Sequence, residues 1–433
     1  MVEELEFKPF SDTYKMITFA LSIGMIYPNP KTEKWRLASI PTLLISIAPL
    51  ATMIFIDMYT CWMAKDIVNI IRHSTVIGPF LGGFFKMILM YHKRIQAKQI
   101  LDEINRDYYV LNEFSDIYKD IARAAIKNSQ VYSERGWAIT VSTCVMTFPI
   151  MAIVLNIYNF TFKSEPVKYM IHDLEKPFSR SEARFESPYF EIMFLYMFYC
   201  SILYVVNFIG YDGFFGLSIN HACLKMDLYC KALEEAMVAP REEVCGRVIA
   251  VIKEQCRLFR YVDLIQDTFN IWLGIIFMAT MIQICTCLYH ITEGYGFDLR
   301  YMIFVTGAVI HIYLPCRYAA KLKAMSVETA NRFYSSGWEQ VDDQRVRRMV
   351  LFMVTRGQAP IAITAFNMLA FDMELFTSVS LTSTSRPQHN RWKARQIAFH
   401  RLCWGRLPVN QDAAEYQYLK WSGCLSVLDS VTG

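Results

Sequence analysis

The stretch LASIPTLLISIAPLATMIFIDMY, residues 37–59, carries no charge until Asp57. A helix needs roughly 20 mostly apolar residues to cross the hydrocarbon of a bilayer, and this run supplies them. Six more runs follow: Ile67–Tyr91, Trp137–Phe162, Ile192–Tyr211, Phe269–His290, Leu299–Tyr318 and Ala359–Thr382. Isolated prolines such as Pro49, Pro79 and Pro149 do not veto spans, because neighbouring helices satisfy the freed backbone groups. Composition agrees: 54% of the 433 residues are hydrophobic and 19% charged, against about 25% charge in an average soluble chain. The fold class is an all-α membrane protein with seven transmembrane helices.

Lys and Arg set the direction. The loops after the second, fourth and sixth runs carry about 22 basic residues, and the other three loops about a third of that number. The N-terminus is therefore expected in the cytosol and the C-terminus outside. Three regions result: a cytosolic N-terminal segment (1–36), the seven-helix domain (37–385) and a polar tail (386–433). The cytosolic loops 91–136 and 221–268 place apolar residues at helical spacing, as in Ile100, Ile104, Tyr108, Leu111 and Phe114. They read as helices that continue below the membrane and pack on each other. The sequon Asn159-Phe160-Thr161 falls outside and makes Asn159 a candidate glycosylation site. The outer loop 163–191 mixes both charge signs and suits a polar lid.

The net charge of +4 gives no nucleic-acid signal. The twelve cysteines form no CxxC pair; Cys144, Cys200, Cys285 and Cys287 sit in apolar runs and read as buried free thiols. No phosphate loop, nucleophile elbow or zinc-protease motif is present. No catalytic residue, cofactor or metal is expected. His73, His290 and His311, in or beside spans, read as hydrogen-bonded structure. Arg72 and Lys86, near opposite ends of the second run, are expected to snorkel to the headgroups. Asp372 and Glu374, near the start of the seventh, suit a cation path or a capping role.

The outer halves of the spans are rich in aromatic residues and methionine. His73, Ile77 and Phe80 lie on the second, Phe148 and Met151 on the third, Met193, Tyr196, Met197 and Cys200 on the fourth, and Tyr301 on the sixth. Singly, each reads as packing. Together they suit a pocket for a small lipophilic ligand. The hydroxyls of the seventh run, Thr377, Ser378, Ser380 and Thr382, suit close helix packing or a wet pore.

The stretch from Tyr313 to Ser385 is more specific. It runs YLPCRYAAKLKAMSVETANRFYSSGWEQ (313–340), RRMVLFMVTRGQAP (347–360) and ITAFNMLAFDMELFTSVSLTSTS (363–385). Paired arginines, an R-x-Q-x-P step, an I-T-A step and a final F-T-S resemble the insect odorant receptor family. The resemblance implies a ligand-gated cation channel. A tuning subunit joins the shared odorant co-receptor in a heterotetramer, in the plasma membrane of olfactory sensory neurons. A small, volatile, hydrophobic odorant binds in the outer half of the bundle. The seventh helices surround the pore, which makes Thr377, Ser378, Ser380, Leu381 and Thr382 the pore-lining candidates, and the cytosolic helices anchor the subunits. The chain lacks the co-receptor's enlarged second cytosolic loop. The tail departs from the family after Ser383 and reads like translation through an unspliced intron or a shifted frame. A G-protein-coupled receptor, with the opposite orientation, and a small-molecule transporter are the alternatives; the gustatory family's signature is missing from the seventh run.

Overall fold

The structure is a computed structural model that describes residues 5–23, 27, 33–163, 167–176, 181–292 and 299–384. The polar tail 386–433 lies outside them. Two short N-terminal helices, α1 (Phe10–Thr13) and α2 (Lys15–Ile23), precede the first span, α3 (Glu33–Met63). Then come α4 (Ile67–His92), α5 (Arg94–Leu111) and α6 (Asp116–Asn128). A wide π-helical stretch, Ser129–Gly136, leads into α7 (Trp137–Phe162). Two very long helices follow, α8 (Tyr189–Met237) and α9 (Arg241–Thr292), and then α10 (Leu299–Tyr334) and α11 (Gln344–Gly357). A small antiparallel hairpin, β1 (Thr364–Ala365) with β2 (Leu369–Ala370), precedes α12 (Met373–Thr384). Among the described residues, six helices are long and apolar enough to cross a membrane.

These six match the first six apolar runs. α8 has 49 residues and is about 74 Å long at 1.5 Å per residue, far beyond the ~30 Å of hydrocarbon. Its excess forms, with α5, α6, α9, α10 and α11, a helical base at one end of the bundle. The periodic residues Ile100, Ile104, Tyr108 and Leu111 are buried there; Phe114 is exposed and lies against Tyr118 instead. At the core of this half, Tyr211, Phe214 and Phe215 of α8 meet Phe269 and Trp272 of α9. Their ring centroids are 5.1–5.8 Å apart, mostly tilted or edge-to-face, the arrangement ring quadrupoles favour.

The N-terminal segment is part of this core. Phe10, Ile17 and Leu21 are buried, and Glu134 Oε1 accepts from the first amides of α2, Met16 N at 2.8 Å and Ile17 N at 3.4 Å. A carboxylate at a helix N-terminus satisfies orphan donors and meets the positive end of the dipole. Below it, Asp107 of α5 takes hydrogen bonds from His221 (2.9 Å) and Lys225 (2.6 Å) of α8. Against the upward push of burial, these two partners hold its carboxyl below the ordinary range.

The seventh apolar run is not one helix. Residues 359–372 form a loop and the hairpin, and the helix begins only at Met373. Phe366 and Asn367 both have positive φ, 52° and 56°, as the two central residues of a primed β-turn require; Met368 N closes that turn on Ala365 O at 3.1 Å. Gln266 and Asn270 of α9 pin the turn: Gln266 Nε2 donates to Thr364 O at 2.9 Å, and Asn367 N donates to Asn270 Oδ1 at 2.9 Å. The Phe366 ring occupies the space where a Cβ on Gly274 would stand. Asp372 Oδ1 then accepts from Leu375 N at 3.0 Å and caps α12. At 12 residues, α12 covers about 18 Å.

Three further expectations are corrected. Lys86 does not snorkel; it is buried, because an acidic partner waits in the next layer. Cys285 is exposed rather than a buried thiol, on an outward face of α9. Asn159 is buried, and its side-chain nitrogen donates to Val167 O at 3.1 Å. A glycan must attach to that nitrogen, so this fold leaves no site for one.

Candidate ligand cavity

Above the aromatic base the helices part around a cavity of about 140 Å³. α4 contributes Val76, Pro79 and Phe80; α7 contributes Trp137, Val141, Cys144 and Phe148; α8 contributes Met197, Cys200, Tyr204 and Phe208; α10 contributes Phe304, Ala308 and His311. Ile171 and His172, from the segment before α8, close the roof. Asn156 of α7 anchors that segment by two hydrogen bonds with the Tyr169 backbone, 2.8 and 2.7 Å. Met170, Ile171 and Leu174 are buried, so the described part of this loop meets the bundle with apolar residues, and Asp173 pairs with Arg72 of α4 at 3.6 Å.

Of the ten residues expected to form a pocket, Phe80, Phe148, Met197 and Cys200 line this cavity. Tyr301 stands behind Phe148, edge-on at 5.7 Å. The Tyr196 hydroxyl donates to Ser46 O at 2.7 Å and accepts from Leu50 N at 3.2 Å, so it clamps α8 to α3. Met193 is buried in the core and Ile77 packs against it, while Met151 lies off the cavity. His73 stands one layer behind the wall, bonded to His172. Thr377 and Ser378 are exposed on α12, and their hydroxyls donate back to Met373 O (3.0 Å) and Glu374 O (2.7 Å). The side chains of His290, Ser380, Leu381 and Thr382 lie outside the described residues.

Most polar groups at the cavity are already satisfied within the wall. Trp137 Nε1 donates to Phe208 O, Thr140 to Gly136 O and Ser201 to Met197 O. The Tyr204 hydroxyl is buried with no partner among the described residues. A binding site needs this kind of chemistry: apolar walls with a few unspent polar groups.

The floor is charged. Lys86 Nζ lies 2.8 Å from both oxygens of Asp212 and 3.5 Å from the centroid of the Phe208 ring. His311 Nε2 is 2.8 Å from Asp212 Oδ2, and its ring stacks on Trp137. Lys86 and Asp212 are each less than a tenth exposed. A buried pair satisfied on both sides is a stable arrangement only while both members are present.

At the roof, His73 Nε2 is 3.1 Å from Asp57 Oδ2, a contact bent away from the ring N–H axis. Asp57, Cys61 and His73 each bring one donor atom within 4.8 Å of the others, a spacing a metal ion could use. The Asp57 carboxylate, however, already takes the Glu175 amide at 3.1 Å. Trp137, His172, Tyr204 and His311 were not among the residues expected at a pocket. Charged and imidazole groups inside spans mark functional interiors, a signal that could have found His311, which reads in the sequence as hydrogen-bonded structure. His172, in an aperiodic loop, carried none.

The fold is that of a multi-pass helical membrane protein. A family model described as 7tm Odorant receptor matches residues 66–383, and the chain belongs to that family, one of receptors rather than enzymes. Odorant receptor 13a of Drosophila melanogaster is 20% identical over 87% of this chain and 96% of its own. Odorant receptor 10 of Aedes albopictus is 18% identical over 79% and 89%. The fold matches the olfactory receptor OR5 of Machilis hrabei, solved in complex with eugenol. The TM-score is 0.68 with 13% identity, over 85% of this chain and 96% of that one.

Proposed function

We propose that this chain is the tuning subunit of an odorant-gated cation channel and that the cavity described above binds the odorant. One observation carries the reading: an apolar cavity with a buried hydroxyl that has no partner among the described residues lies between the spans of a chain in the odorant receptor family. Its volume is close to that of the roughly 150 Å³ apolar cavity known to admit benzene, so it suits a small volatile hydrophobic molecule. The N-terminus and the helical base lie in the cytosol, and the receptor sits in the plasma membrane of olfactory sensory neurons. The base carries the subunit contacts: Leu351 and Phe352 of α11 are exposed apolar side chains among the described residues. α12 lines the pore, with Thr377 and Ser378 facing away from the bundle. The partner is the odorant co-receptor in a heterotetramer. α8 and α9 are joined by three residues, 238–240, which leaves no place for the co-receptor's enlarged loop. The test is whole-cell current to an odorant panel, from cells carrying this chain with and without the co-receptor. Current that needs both chains and follows the panel supports the reading. Silence at confirmed surface expression, or current set by the co-receptor alone, removes it.

A further inference from the structure

Three side chains run in series to the roof of the cavity: Asp57 on α3, His73 on α4 and His172 in the loop. His73 faces Asp57 with Nε2 at 3.1 Å and His172 with Nδ1, which lies 3.1 Å from His172 Nε2. His73 is fully buried and Asp57 nearly so. An ionised carboxylate can only accept. An uncharged His73 therefore carries its proton on Nε2, beside Asp57, and shows a lone pair at Nδ1. His172 must donate to that lone pair from Nε2, which leaves its own lone pair on Nδ1. Burial, above all, pushes the His172 imidazole well below its usual range, so the ring is neutral. His172 lines the cavity, and its Nδ1 has no hydrogen-bond partner among the described residues.

We propose that Asp57, His73 and His172 form a relay that presents a hydrogen-bond acceptor, Nδ1 of His172, to the cavity, and that the receptor therefore selects small alcohols and phenols over ethers of the same size. The inference rests on the cavity being the odorant site. Asp57 and His73 are positioning residues; His172 alone touches the ligand. A site built to bond a hydroxyl discriminates against the analogue that lacks it, because its own polar group is then left unpaired.

The experiment uses isomeric pairs on the full chain expressed with the co-receptor: octanol against heptyl methyl ether, and phenethyl alcohol against benzyl methyl ether. The alcohol of each pair should activate at about tenfold lower concentration. His172→Phe should remove that gap by weakening the alcohol while leaving the ether unchanged. His73→Leu leaves His172 in the wall but frees its tautomer, and should narrow the gap; it reads the same ratio if His172→Phe fails to reach the surface. Equal potency within pairs, or a gap untouched by the variants, overturns the relay and leaves the cavity as an odorant site. No response to any of the four compounds at confirmed surface expression overturns both.

Discussion

Along α8, burial changes character at Phe208. From Ile209 to Ile219 every residue is buried, against α2, α9 and α10. From Tyr189 to Phe208 burial falls on one stripe, at Met193, Met197, Cys200 and Asn207. The same helix thus crosses a filled half and a hollow half. A filled half fixes helix positions, because interiors at crystal-like density transmit any change of volume. A hollow half leaves side-chain surface unspent, and a ligand can take up those contacts. Stability belongs to the first region and selectivity to the second.

The largest effect should follow from emptying the filled half. Trp272 is almost fully buried among Tyr211, Phe215 and Phe269. Trp272→Ala is expected to cost about 3–5 kcal/mol and to remove the protein from the cell surface. Phe148→Ala borders space that already exists, so surface expression should survive while odorant sensitivity shifts by tenfold or more. Equal loss of surface protein in the two variants would break the division between halves.

The charged floor sits on the boundary. Lys86→Met leaves Asp212 with His311 alone, and breaking one side of a buried pair costs about 3–5 kcal/mol. Removing the acid as well, in Lys86→Met with Asp212→Leu, should recover much of that loss. Thermal stability of the detergent-solubilised protein reads both variants. A double variant no better than the single one would mean that the pair is not the source of the cost.

How much of this was legible in the sequence follows the same boundary. The spans and the base were readable because hydrophobicity is local: runs of apolar residues made α3, α4, α7, α8, α9 and α10, and the spacing from Ile100 to Leu111 made α5. The start of the seventh helix was misread because Ala359 to Ala370 is apolar like a span but is folded by φ, at Phe366 and Asn367, and by Gln266 nearly a hundred positions away. Lys86 was misread for a related reason, since Asp212 lies 126 residues on. At the cavity, depth in the membrane was readable and found Phe80, Phe148, Met197 and Cys200. Helix rotation was not, so Met193 and Tyr196, at the right depth, turned out to pack against neighbouring helices.

The smallest expected effect separates the halves most cleanly. Each contains one buried tyrosine hydroxyl with no partner among the described residues: Tyr204 at the cavity and Tyr211 in the base. A buried polar group without a partner costs about 1–3 kcal/mol, so deleting the oxygen removes a penalty and leaves packing unchanged. Tyr204→Phe and Tyr211→Phe should both fold as well as the parent, or be more stable by up to about 1 kcal/mol. They should differ toward ligand. The Tyr204 ring lines the cavity, and its hydroxyl is free to bond a polar odorant, so Tyr204→Phe should lower sensitivity to polar odorants by up to about tenfold and spare hydrocarbons. Tyr211 is enclosed by Phe269 and Trp272, and Tyr211→Phe should leave every odorant unchanged. Dose–response curves for polar and hydrocarbon odorants, with melting curves of the purified variants, test both statements. A shift in odorant ranking from Tyr211→Phe would mean that the base also takes part in recognition, and the line drawn at Phe208 would have to move.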